Sequence, residues 1–123
     1  VASMLALRYT AAGLLDSAFG VGGLAEARFG EDTEGYAVRF QLDGSIVVAG
    51  SDWLSPYGSR ICLARFDGDG ALDESFVSAG AVTTPVGSYA VATTMEYQAD
   101  GKLLIAGTTF NGWNYDMAVL RYR

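Results

Sequence analysis

The chain has no histidine, one cysteine, two prolines and only eight lysines and arginines among its 123 residues. Each shortage narrows what the protein can do. Histidine is the usual general base near neutral pH and a frequent metal ligand. Without it, and with neither a metal-ligand cluster nor a nucleophile motif, no catalysis and no cofactor are expected. A carboxylate pair is the one acid–base device left, and the consecutive Glu31, Asp32 and Glu34 read as a solvated loop. The formal net charge is −6, so the clustered cations that phosphates demand are missing and nucleic acid is not an expected partner. Cys62 has no second cysteine to bridge to. It lies in a strand-like run at 61–66 and reads as a small buried hydrophobe. No apolar run reaches transmembrane length, so no membrane partner is expected. No signal peptide is recognisable, although a processed secreted chain would also lack one, and the compartment stays open.

Sixteen glycines, 12% aromatic residues and an apolar half of the sequence are what is present. That length and composition suit one domain, 1–123, with a real core, and point away from a helical bundle. The phrase Gln41-Leu42-Asp43-Gly44, followed by an apolar run and Ala49-Gly50, returns 57 residues later as Gln98-Ala99-Asp100-Gly101, an apolar run and Ala106-Gly107. The same shift carries Gly13, Leu15, Asp16 and Phe19 onto Gly70, Leu72, Asp73 and Phe76. An Arg-aromatic element occurs three times, as Ala6-Leu7-Arg8-Tyr9, Leu63-Ala64-Arg65-Phe66 and Val119-Leu120-Arg121-Tyr122, the last step being 56 residues. The chain therefore reads as repeat 1 at about 5–61, repeat 2 at about 62–117 and the start of a third at 118–123. Such a repeat is one supersecondary unit that relies on its neighbours to cover its apolar faces.

Within each repeat, short apolar runs between Gly, Asp and Asn clusters predict four strands. The first alternates, with Tyr36, Val38 and Phe40 on one face and Ala37, Arg39 and Gln41 on the other; its counterpart is 93–98. Asp43-Gly44 and Asp100-Gly101 then predict hairpins, glycine supplying the positive φ of a tight primed turn. The second strand, 46–49 and 103–106, is apolar throughout, as in a strand buried on both faces. The third is the Arg-aromatic strand, and the fourth lies near 24–29 and 81–84. The expected fold is all-β: two four-stranded antiparallel β-propeller blades plus one surplus strand.

The run from Leu63 through Arg65-Phe66-Asp67-Gly68-Asp69-Gly70 to Leu72-Asp73 and Phe76, followed by the Gln-x-Asp-Gly hairpin, resembles the bacterial delta-60 repeat. The likeness covers nearly the whole chain. It implies a β-propeller, an exported or cell-surface setting, and no general activity. The segment Thr10-Ala11-Ala12-Gly13 departs from the pattern, since its turn lacks the aspartates.

Two repeats cannot close a ring, and open blade edges invite aggregation. The expected partners are neighbouring blades of a longer chain or, preferably, other copies of this one. Three copies assembled head to tail would close six blades and four would close eight. One Arg-aromatic strand is then redundant, and the N-terminal one at 4–9 is expected to be displaced, swapped or used as a clasp.

Arg8, Arg65 and Arg121 sit on an inward strand face and need carboxylate partners; Asp16 and Asp73 are the candidates for structural ion pairs. Asp67, Asp69 and Asp73 alternate around glycines in the manner of a calcium loop, but they lack a terminal bidentate glutamate, and a turn held by Asx hydrogen bonds is the simpler reading. The loops at 51–59 and 108–116 hold both tryptophans. There Asp52, Trp53, Tyr57, Asn111, Trp113, Asn114 and Tyr115 combine flat apolar rings with hydrogen-bonding groups, which suits a sugar as ligand. Capping of the blade tops is the competing role for these aromatics. The expected function is a non-catalytic structural or protein-interaction scaffold, with a lectin-like propeller as the alternative.

Overall fold

The computed structural model describes residues 2–56 and 58–123. Among them are nine strands: β1 (Ser3–Leu7), β2 (Leu24–Arg28), β3 (Asp32–Phe40), β4 (Ile46–Trp53), β5 (Ser59–Phe66), β6 (Ala81–Thr84), β7 (Tyr89–Tyr97), β8 (Leu103–Phe110) and β9 (Tyr115–Tyr122). All pairings between these strands are antiparallel, and the sheets are ordered β1-β2, β3-β4-β5-β6 and β7-β8-β9. The architecture is all-β, with three blades stacked face to face. Two four-stranded blades and a surplus strand would also amount to nine, but the grouping is two, four and three. β1 is not a lone strand: the turn after it brings β2 alongside, so the pair holds the third- and fourth-strand positions of a blade. Among the described residues, the last blade has strands at positions one to three.

The hairpins form where the Asp-Gly pairs predict them, but with a longer turn. Gln41 N–H donates to the Ser45 carbonyl and Gly44 N–H to the Gln41 carbonyl, which leaves three residues in the loop. Gly44 has φ +88° and Gly101 φ +81°, whereas Asp43 and Asp100 keep negative φ. This is a type I turn closed by a glycine bulge rather than a primed turn. The reason is the aspartate: Asp43 accepts the Ser45 N–H at 2.8 Å and Asp100 the Lys102 N–H at 3.1 Å, which holds the wider turn.

The first two strands of a blade are also longer than their apolar cores suggested. β3 pairs with β4 from Asp32↔Trp53 to Phe40↔Ile46, with a bulge between Gly35 and Ala37; β7 and β8 repeat this with a bulge between Ala92 and Thr94. Asp32 and Glu34, expected in a loop, therefore belong to a strand. Gly50 and Gly107 face these bulges. A Cβ at Gly50 would lie 1.8 Å from the Glu34 carbonyl oxygen, and one at Gly107 2.0 Å from that of Val91. The Ala-Gly ending of the repeated phrase is thus required by the bulge.

Two cores hold the stack. Met4, Phe19, Ala25 and Ala27 of the first blade pack on Ile46, Val48, Cys62, Ala64 and Phe66 of the middle one. On its other face Val47, Ala49, Ile61 and Leu63 meet Ala90, Ala92, Met95, Leu103 and Ile105 of the last. The middle blade is the only one of the three covered on both sides, and β4 and β5 are accordingly apolar on both faces.

Candidate functional site

At one end of the stack lie the β4–β5 and β8–β9 links and the starts of β3 and β7. The links are shorter than expected, because Ser51, Asp52 and Trp53 end β4, 108–110 end β8, and Tyr115 and Asp116 begin β9. Trp53 sits at the strand end opposite Asp32. Its Nε1 donates to Glu34 Oε2 at 3.2 Å, and the Tyr36 hydroxyl donates to the same carboxylate. That hydrogen bond pushes the Tyr36 phenol up to about 12, with burial adding to it.

The Trp53 ring meets Tyr89 edge-on at 5.2 Å; Tyr89 meets Tyr115 at 6.4 Å, and Tyr115 meets Phe110 at 5.0 Å. These four rings form a row across the tops of the middle and last blades. Beside it a cleft of about 450 Å³ is lined by Glu31, Asp32, Trp53, Leu54, Ser55, Pro56 and Tyr89. Tyr89, Glu34 and Tyr36 were not among the expected site residues. The repeat register held the clue to Tyr89, since the 57-residue shift puts it at the position of Asp32.

The expected ligand-binding residues separate into distinct environments. Asp52 is 0% exposed, so it faces the interior and not a ligand. Its Oδ1 accepts the Gly30 N–H at 2.8 Å and the Thr33 hydroxyl at 3.3 Å, while Oδ2 accepts from Arg60 at 2.7 Å. A buried carboxylate persists only with such partners, and here it ties the entry of β3 to β4 and β5. Asn111 is a turn former: its Oδ1 accepts the N–H groups of Trp113 and Asn114, and its Nδ2 donates to Asp116. The turn presents Trp113 to solvent at 88% exposure, with Asn114 exposed next to it and Tyr115 at the end of the aromatic row. Tyr57 lies outside the described residues.

The arginines hold corners. Arg8 Nε stands 2.8 Å from Asp16 Oδ2, and Arg65 Nη2 2.6 Å from Asp73 Oδ2, the first within the first blade and the second within the middle one. Each guanidinium also lies over a ring, Phe19 at 4.7 Å and Phe76 at 4.8 Å. Arg8 also reaches the Gly68 carbonyl of the next blade. Hydrogen bonds from Ser75, then Arg65, hold the Asp73 carboxyl below its ordinary range. Among the described residues, Arg121 has no carboxylate partner.

The aspartates of the calcium alternative are engaged within the turn and the corner. Asp67 Oδ1 accepts the N–H groups of Asp69 and Ala71, and Asp73 turns away onto Arg65. The three carboxylates do not converge, and no group of three ligand-type residues placed to hold a metal is found among the described residues.

No curated protein matches the chain. The model of a family described as a domain of unknown function (DUF5122) beta-propeller matches residues 41–76 and 98–123, just over half of the sequence. The matched segments hold the Gln-x-Asp-Gly hairpins, the middle blade's Arg65–Asp73 corner and the last Arg-aromatic strand. The chain belongs to the DUF5122 β-propeller family.

Proposed function

We propose that this protein is a non-catalytic propeller module that assembles head to tail with other copies of itself into a closed ring, as a structural or interaction scaffold. One observation carries the reading: the last blade exposes the face that the middle blade buries. Met117 and Val119 are 83% and 62% exposed, while Ile61 and Leu63, at the same repeat positions, are fully buried. Apolar side chains in register on a sheet face call for a second sheet, and the repeat supplies it. Light scattering tests this by the mass of the assembly in solution. The repeat steps of 57 and 56 residues support assigning the unit as a delta-60 repeat. That resemblance also supports an exported or cell-surface setting.

A second reading is favoured by the aromatic cleft. Trp53 and Tyr89 present ring edges and faces beside Glu31 and Asp32, a combination that stacks on a sugar's C–H face while accepting its hydroxyls. Tryptophan emission should then shift on a glycan panel. Trp53→Ala should abolish that shift with the far-ultraviolet dichroism unchanged; silence across the panel leaves the scaffold role alone.

A further inference from the structure

The strands that open and close the stack carry nearly the same sequence. Met4-Leu5-Ala6-Leu7-Arg8-Tyr9 and Met117-Ala118-Val119-Leu120-Arg121-Tyr122 agree at the methionine and at Leu-Arg-Tyr. Both belong to the third-strand position of a blade. β1 holds that position beside β2, and β9 holds it with its outer edge free.

We propose that β9 of one copy replaces β1 of the next, pairing with β2 and releasing β1 as a placeholder strand. This deepens the ring-assembly reading and rests on it. The register follows from the existing pairs. Met4↔Ala27 in the first blade matches Ile61↔Thr84 in the middle one, so Met117 comes opposite Ala27 and Asp116 opposite Arg28. An opposite-charge cross-strand pair replaces Ser3 opposite Arg28.

Three further features fit the incoming strand. Met4 is buried in a slot floored by glycines, where a Cβ at Gly50 would lie 2.9 Å from the Met4 Cε and one at Gly35 3.4 Å from its Cγ. Met117 brings the same side chain and is exposed without a slot of its own. Arg121, lacking a carboxylate among the described residues, would take over Asp16, which Arg8 now holds. β7 and β8, attached to β9, would cover the face of β3 that the first blade leaves open, where Tyr36, Val38 and Phe40 are exposed. The same chain cannot make the exchange, because its middle blade separates β9 from β2. A second copy can, as in other swapped assemblies.

Directly opposed residues of an antiparallel pair lie within disulfide reach, so cysteines can tell the two partners of β2 apart. In the full chain carrying Cys62→Ala, Arg28→Cys with Asp116→Cys should give a disulfide between copies on mild oxidation, seen as a ladder on non-reducing gels. Arg28→Cys with Ser3→Cys should lock β1 onto β2 within one chain and hold the mass at 13.0 kDa until reductant restores assembly. Assembly of the oxidised Ser3→Cys variant, or no link through Asp116→Cys in an assembling chain, overturns strand exchange and leaves ring assembly standing. A Cys62→Ala chain that stays at 13.0 kDa throughout sinks both.

Discussion

Asp52 and Thr109 stand at the same position of successive repeats and tie the same strand entry by different chemistry. Asp52 accepts from Gly30, Thr33 and Arg60. Thr109 donates its hydroxyl to the carbonyls of Val86 and Tyr89, at 2.6 and 3.0 Å. Asp52→Ala leaves buried donors unpaired and should cost about 3 kcal/mol in a denaturant titration. Asp52→Asn keeps an acceptor and should cost less. Cys62, buried in the first core, gives a pH signature of the fold. Burial, then the Asp52 carboxylate, pushes its thiol up to about 12, against about 8.5 in an unfolded chain. A raised folded value means the thiol's contribution is complete below about pH 8.5 and is lost as pH rises toward 12. Stability should therefore begin to fall between about pH 8.5 and 10, before unfolded tyrosines titrate. Cys62→Ala should remove that early slope; an unchanged slope would assign it elsewhere.

Turns and corners govern the elements. The hairpins were legible because their causes are local: alternation in β3, an apolar β4, and an aspartate and glycine between them. The extension of β4 through Asp52 was not, since the strand it pairs with begins with the polar Asp32, Thr33 and Glu34 and hides its own start. The repeat register places Tyr89 at the cleft end of the stack through its counterpart Asp32, but an aspartate there gives no sign of an aromatic row. The turn before β6 shows how the repeats diverge. Ser78 and Ala79 adopt φ of +51° and +58°, a region that suits glycine. In the first repeat Gly22 holds the position of Ala79, with φ +63°. Ala79→Gly should therefore relieve strain and stabilise the chain by about 1 kcal/mol, raising its melting temperature. A decrease would mean that the entropy of the added glycine outweighs the strain.

For the whole molecule, the three Arg-aromatic strands made the imbalance visible, but the grouping into two, four and three strands depended on contacts far apart in sequence. β1 finds β2 through the corner in which Arg8, Asp16 and Phe19 meet, and no local pattern announces that pairing. The result is a stack with one fully covered blade and two outward faces, the first showing Leu5 and Leu7 and the last Met117 and Val119. Each matches a face that the middle blade buries. Light scattering on the purified chain over a range of concentrations measures whether copies assemble. A discrete particle of three or four times 13.0 kDa is expected, and a stable species at 13.0 kDa would rule out the ring.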